Sequence, residues 1–368
     1  MYTQDRSTSQ SPPIIVKLLA RMPSPETKIV FSRQLPENHL WGQCRFTFDA
    51  AEQHYDWLVV YHDISRTAGQ GGLEKLRCPR ANTILVTTEP STVTVYGTDY
   101  LRQYGAMITS QEPWVIKHSH AIFTQPGLIW FYGLPFVGDK LCTSERDKPR
   151  NYQDLQITTP PLKSKLISTV CSSRSGGLTL HTRRVGFTKQ LQEALPELDV
   201  FGHGIRPMSD KAEALDPYQY HIAIENHVYQ HHLTEKLPDA FLGHTLPFYH
   251  GCPNAGDYFP PESFISIDIG NFAATRDIIR STINNNEYPD RLPHIIEARR
   301  RVLEEHNLFA VLARHIETNN KQNVDKTGTK EDGEEIIMNR QILRIKKPLI
   351  GIKSLLEKAM VKGQHYRL

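Results

Sequence analysis

No run of about 18 consecutive apolar residues occurs in the 368-residue sequence, so no segment reads as a transmembrane helix. The start, Met1-Tyr-Thr-Gln-Asp-Arg-Ser, lacks the charged-then-apolar layout of a secretory signal, and a cytoplasmic location is the expectation. Cysteine is scarce: Cys44, Cys78, Cys142, Cys171 and Cys252 are scattered, odd in number and without a C-x-x-C pair. Neither a disulfide framework nor a zinc ribbon fits that spacing. No His-Glu-x-x-His, no Asp-x-Asp and no internal repeat occurs either.

What is present describes a globular chain. Hydrophobic residues make up 39% and charged residues 23%, far from the composition of disordered chains. The length exceeds what one core serves, so two domains with a cleft between them are expected. The net charge of +3 is uneven: residues 337–368 hold eight Lys or Arg against Glu357, a local +7 that leaves −4 on the rest. With its positive charge confined to one terminal segment, the body offers no general nucleic-acid-binding surface.

Apolar runs at Ile14–Ala20, Lys28–Phe31, Trp57–His62, Thr83–Thr87 and Ala106–Ser110 read as strands, with a helix at Thr98–Tyr104 among them. That alternation favours an α/β layer architecture. Polar, proline-containing residues 145–164 suit an interdomain connection, which gives a first domain over 1–150. The clearest βαβ unit follows: strand Leu166–Ser172, a turn at Arg174-Ser-Gly-Gly, helix Thr182–Leu195 and strand Asp199–Phe201. Further strands are expected at Tyr220–Ile224, Thr245–Tyr249 and Phe264–Asp268, with helices at Leu233–Leu242, Phe272–Thr282 and a pair within Pro289–Ile316. The second domain, Rossmann-like, is therefore placed at 165–316, a flexible linker at 317–336 and a basic amphipathic tail at 337–368.

The chemistry concentrates after Tyr220. Glu225-Asn226 closes a strand, and Thr234-Glu235-Lys236 opens a helix. Strand carboxyl ends and helix N-termini in α/β sheets are where nucleotide diphosphates bind, although an unliganded strand, turn and capped helix would show the same pattern.

Glu225-Asn226, Thr234-Glu235-Lys236, Thr245-Leu-Pro247 and Pro261-Glu-Ser263-Phe264-Ile265, in that order, resemble the nucleotide-binding motif of the family 10 glycosyltransferases, the α-1,3-fucosyltransferase family. The similarity spans about Leu166–Thr282, and the first half is only loosely similar. It implies a GT-B architecture of two Rossmann-like domains facing a cleft, with fucose moved from GDP-fucose to a hydroxyl of a glycan acceptor containing N-acetylglucosamine, with inversion and α1,3 linkage. By the same resemblance, Asn226, Glu235 and Lys236 contact the donor nucleotide and Arg184 meets its pyrophosphate, with Glu225 and His232 in the same donor site. The family often has tyrosine where this chain has His232, which leaves open a GT-B enzyme using another nucleotide sugar, or a protein that binds a nucleotide sugar or glycan without turnover.

A base must take the acceptor's proton. Glu89, after a first-domain strand, resembles the family's glutamate and is the candidate; Asp63 is the alternative. His227, His231 and His232 raise a metal site, but the spacer between them is not expected to be helical, so no metal ligation is expected. No cofactor is expected to be required, with a divalent cation at most stimulatory. Ile342, Ile345, Leu349, Ile352, Leu356 and Met360 recur at helical spacing among lysines and arginines, broken near its start by Pro348. That segment fits an anionic membrane surface at the inner face, or a helix packed on the protein.

Overall fold

The computed structural model describes residues 12–67, 71–138, 140–142, 148–157, 159–171, 180–323 and 335–367. The expected Arg174-Ser-Gly-Gly turn, Ser172 and the middle of the 317–336 linker lie outside them.

The first half is built on β1 (Ile14–Ala20), β2 (Leu40–Trp41), β3 (Cys44–Thr47), β4 (Trp57–Tyr61), β5 (Leu73–Lys75), β6 (Thr83–Val86), β7 (Ala106–Thr109) and β8 (Ala121–Phe123). All but β5 form one sheet in the order β2-β3-β1-β4-β6-β7-β8, parallel apart from β2. Every residue of β4 (Trp-Leu-Val-Val-Tyr) is buried, as expected of a parallel strand covered on both faces. A short hairpin of β9 (Phe136–Val137) and β10 (Lys140–Leu141) leads towards the second half.

There β11 (Lys165–Val170), β12 (Leu198–Phe201), β13 (Tyr218–Ile224), β14 (Leu246–His250) and β15 (Ile265–Ser266) form an all-parallel sheet ordered β12-β11-β13-β14-β15. In both sheets the chain begins at an inner strand, adds β2 and β3, or β12, on one side and then continues on the other. The reversal falls between β1 and β4 in the first sheet and between β11 and β13 in the second. Such switch points leave a crevice beyond the strands' carboxyl ends, where ligands of doubly wound sheets bind.

The helices are α1 (Ser24–Ser32), α2 (Thr98–Leu101), α3 (Tyr152–Leu155), α4 (His181–Ala194), α5 (Lys236–Leu242), α6 (Phe272–Asn284), α7 (Tyr288–Glu304), α8 (Leu308–Asn323), α9 (Arg340–Lys346) and α10 (Pro348–His365). Lys28–Phe31, expected as a strand, lies inside α1: Pro25 pre-sets the helical φ of the first turn, Glu26 favours its N-terminal end, and Val30 and Phe31 enter the core. The second-half strands and helices fall within a few residues of their expected positions.

The expected second-domain boundary at 316 is corrected by α8. Its residues Leu308, Phe309, Leu312 and Ile316 are fully buried in the core beneath β1, β3 and β4. The Phe309 ring meets Phe46 edge-on at 4.7 Å, and Glu317 accepts a hydrogen bond from the Gln43 amide at 2.7 Å. The apolar face of α8 thus belongs to the first sheet, although it follows the second in sequence.

The tail packs on the first domain, one of the two arrangements expected of it. Strand β16 (Ile336–Met338) pairs antiparallel with β5, and Leu343 of α9 joins a core containing Tyr96, Tyr100 and Tyr104. Pro348 starts α10, where its missing N–H costs nothing, and so does not break it. Lys353 pairs with Asp99 at 2.7 Å, and Glu357 accepts from the Thr98 amide at 3.1 Å. The other face of α10 leaves Leu349, Ile352, Leu355, Leu356 and Met360 exposed. Among the described residues no helix is long and apolar enough to cross a membrane.

Candidate active site

The two switch points face each other across a cleft of about 570 Å³. Ala20, Arg21 and Met22 follow β1, Tyr61 and His62 end β4, and Thr88 and Glu89 follow β6 on one wall; Asn226, His232, Thr234, Glu235 and Lys236 follow β13 on the other. Glu89 and four of the six expected donor residues therefore line one space, while Glu225 and Arg184 are buried and do not line it.

Glu225 is fully buried at the end of β13. Its carboxylate accepts from the Thr234 amide at 2.9 Å and the Thr234 hydroxyl at 2.5 Å, and it pairs with Lys236 Nζ at 3.1 Å. It closes the loop that presents Thr234, Glu235 and Lys236, rather than reaching the cleft itself. Burial works against the Lys236 charge, yet Glu225 and Glu235 outweigh it and raise its pKa, so Lys236 stays cationic.

Glu235 meets Lys211 at 3.2 Å and Lys236 at 3.3 Å. Burial alone would raise its pKa; the two lysines and its hydrogen bonds hold it well below the usual carboxylate range. Lys211 also pairs with Asp239 at 2.8 Å, and Asp239 accepts from the amides of Phe131 and Tyr132 at 3.0 Å each, which ties this wall to the segment between β8 and β9. Lys211 escaped the sequence reading because nothing local marks it; its role comes from a fold contact 24 residues away.

Asn226 offers a direct sign of a missing partner. Its side-chain Oδ1 is buried with no hydrogen-bond partner among the described residues, a situation that native structures rarely leave unfilled. Its backbone oxygen accepts from the Leu180 amide at 3.2 Å, which brings the start of α4 alongside. Arg184, one turn into α4, is buried there and is not among the cleft-lining residues.

The His227 and His232 rings meet edge-on at 5.3 Å, and each of the three histidines has its own polar partner. His227 Nε2 lies 3.2 Å from Glu112, His231 contacts Tyr258 and Asn254, and His232 Nδ1 lies 3.1 Å from the Ser110 hydroxyl. Among the described residues no group of three or more His, Cys, Asp or Glu is arranged to hold a metal. His232 is 3% exposed, and burial pushes its pKa down to about 4, so it is a neutral polar contact at neutral pH.

On the first wall, the Glu89 side chain is open to the cleft, while Gln111 fixes its backbone by donating to the Glu89 carbonyl at 2.7 Å. Desolvation by the surrounding walls, then the negative Glu235 opposite, raise its pKa against the pull of Lys236, Arg340 and Arg21. Asp63, the alternative base, is otherwise engaged: it accepts from Arg340 Nε at 3.0 Å and the Tyr100 hydroxyl at 3.0 Å. Beside it, His62 Nε2 receives an Arg340 N–H at 2.9 Å. Arginine only donates, so Nδ1 carries the His62 proton and donates it towards Thr88 Oγ1 at 2.8 Å and Tyr96 Oη at 3.0 Å.

Residues 161–286 match the C-terminal domain model of glycosyltransferase family 10 (fucosyltransferase). An alpha-(1,3)-fucosyltransferase of Helicobacter pylori is 34% identical over 87 residues, covering 23% of this chain and 18% of that protein. A 4-galactosyl-N-acetylglucosaminide 3-alpha-L-fucosyltransferase of Gorilla gorilla gorilla is 32% identical over 103 residues, 26% of each chain. The matches thus span about a fifth to a quarter of those relatives. A crystal structure of alpha1,3-fucosyltransferase superposes with a TM-score of 0.50 at 17% identity, covering 90% of this chain and 95% of that one. The fold is GT-B, two Rossmann-like domains on a cleft. The family 10 match covers residues 161–286, the part of the chain that carries the second sheet.

Proposed function

We propose that this chain transfers fucose from GDP-fucose to a glycan hydroxyl, with Glu89 as general base and inversion at the anomeric carbon. One observation carries the reading: Glu89 on the first wall opposes Asn226, Glu235 and Lys236 on the second, across a cleft formed by two switch points. A carboxylate with a raised pKa suits proton abstraction, and a lysine held cationic suits a diphosphate leaving group.

In this mechanism Glu89 takes the acceptor hydroxyl's proton as the oxygen attacks C1 of the fucosyl group from the side opposite GDP. The bond from C1 to the β-phosphate oxygen breaks, and its electron pair stays on GDP, where Lys236 meets the growing charge. Glu235 hydrogen-bonds ribose hydroxyls, and the unpartnered Asn226 Oδ1 accepts from the nucleotide. Arg184 reaches the pyrophosphate from its buried position, in which case its side chain turns on binding. A β-linked donor yields an α-linked product.

For the acceptor, the relatives' names point to N-acetylglucosaminides and 3-linkage, and both are part of the proposal. The exposed apolar face of α10, with Lys353, Lys358 and Lys362 on the same helix, fits peripheral attachment to an anionic membrane surface, in keeping with a cytoplasmic enzyme acting on surface or lipid-linked glycans. Calorimetry with GDP-fucose, GDP-mannose and UDP-sugars, followed by transfer assays, tests the donor. GDP-fucose binding with α-fucosylated product is expected. Preference for another nucleotide sugar would move the enzyme to a different donor, and binding without turnover on a broad acceptor panel would make it a binding protein.

A further inference from the structure

A second cavity, of about 870 Å³, opens beside the cleft and shares Arg21 with it. Its size is within the range of about 300–1,000 Å³ found for ligand sites. Arg21, Arg66, Arg340 and Arg344 all line it, against Asp63 as the one carboxylate among the lining residues. Asp63 is already committed to Arg340 and Tyr100, so the cavity keeps a net positive charge. Arg66 donates to the neutral Gln341 amide and Arg344 to the Ser354 hydroxyl at 2.8 Å. Arg21 makes no side-chain hydrogen bond or ion pair among the described residues. Burial and the neighbouring Arg340 lower the Arg344 pKa, a mutual repulsion that an anion between them would relieve.

We infer that this arginine cavity holds an acidic group of the acceptor, a carboxylate or a phosphate, while the acceptor's hydroxyl reaches Glu89. The inference rests on the cleft being a sugar-transfer site, because Arg21 joins the two spaces on the Glu89 side, away from the donor wall. Guanidinium forks match carboxylate and phosphate oxygens, whereas a neutral glycan would leave them unpaired. Two of the four arginines come from α9, so the tail supplies part of the acceptor wall.

The test measures binding to the protein with GDP present, using a glucuronate and N-acetylglucosamine tetrasaccharide, N-acetylglucosamine 1-phosphate, and neutral chitotetraose. At least one acidic probe is expected to bind roughly tenfold or more tightly than the neutral one, in keeping with charged hydrogen bonds. That preference should shrink in salt and in Arg66→Gln/Arg344→Gln, with GDP-fucose affinity unchanged. Which acidic probe prevails separates carboxylate from phosphate. Arg66→Gln alone, at an exposed guanidinium, serves if the double variant does not fold. Equal binding of acidic and neutral probes, or a preference that survives substitution, would overturn the inference. Absence of GDP-fucose binding in the same preparation would instead strike the proposed function.

Discussion

Arg340, in the last part of the chain, places its Nε 3.0 Å from Asp63 Oδ2 at the end of a first-sheet strand, and its guanidinium lies over the Tyr96 ring at 4.9 Å. The contact neutralises the carboxylate weighed as the alternative base and fastens α9 to the fold. Asp63→Asn should therefore act on stability, since a largely buried arginine would lose its counter-charge. The expected cost is about 3 kcal/mol, near the lower end for a broken buried pair. Thermal unfolding reads it, and a stable Asp63→Asn protein with greatly reduced turnover would return Asp63 to the catalytic step.

Lys236, which meets the diphosphate in the proposed mechanism, is also the cation paired with the fully buried Glu225. Lys236→Ala is expected to lower the melting temperature as well as weaken GDP-fucose binding, the second effect being about tenfold or more for a charged hydrogen bond. Calorimetry well below the shifted melting point separates the two. An unchanged melting temperature would mean that Thr234 alone satisfies Glu225.

Glu89→Gln should reduce turnover by about 10²–10⁴-fold with donor affinity nearly unchanged, as expected when only proton acceptance is removed. The pH profile follows from the sign of the shift. The base works ionised and its pKa is raised by desolvation and Glu235, so kcat/KM should climb with pH through a limb lying above the ordinary glutamate range. Loss of that limb in the glutamine variant identifies its owner. Turnover near the parental rate in Glu89→Gln would assign the base elsewhere.

Acid should also weaken the second wall. The Glu235 pKa is depressed in the folded state, so its contribution to stability is complete above the unfolded value of about 4.3 and is lost as pH falls below it. Glu235→Gln should flatten the dependence of unfolding on pH in that window. A wild-type curve matched by the variant would show that Lys211 and Lys236 do not depend on this carboxylate.

Metal independence is a separate expectation. In the proposed mechanism Lys236 takes the charge-neutralising place that a cation could fill, so turnover should persist in excess EDTA. Complete loss in chelator, restored by added metal, would contradict it.

The second sheet was legible in the sequence because each of its strands is a short apolar run bounded by turn residues, and because Thr234-Glu235-Lys236 sits where β13 and α5 meet. The misreadings share a physical cause. For Glu225, spacing cannot distinguish a carboxylate facing a cleft from one turned back onto Thr234. The short strands β2, β3 and β8 carry too few residues for a period to show. The tail's pattern alone fits a surface helix as well as a packed one; only the fold reveals that Arg340 and Leu343 face inward. Lys28–Phe31 is apolar enough for either a strand or a helix, and Pro25 decided the matter.

The placement of Leu308–Ile316 under the first sheet has a consequence for biosynthesis. Strands emerging early from the ribosome wait for a helix nearly 300 residues later to complete their hydrophobic floor, and for α9 to bring Arg340 to Asp63. Domains usually mature in order of synthesis, but here the second sheet, whose pairings close within about a hundred residues, can assemble while the first is still incomplete. The nascent chain would then acquire its nucleotide wall before its acceptor wall, with β1 and β4 exposed to chaperones in the interval.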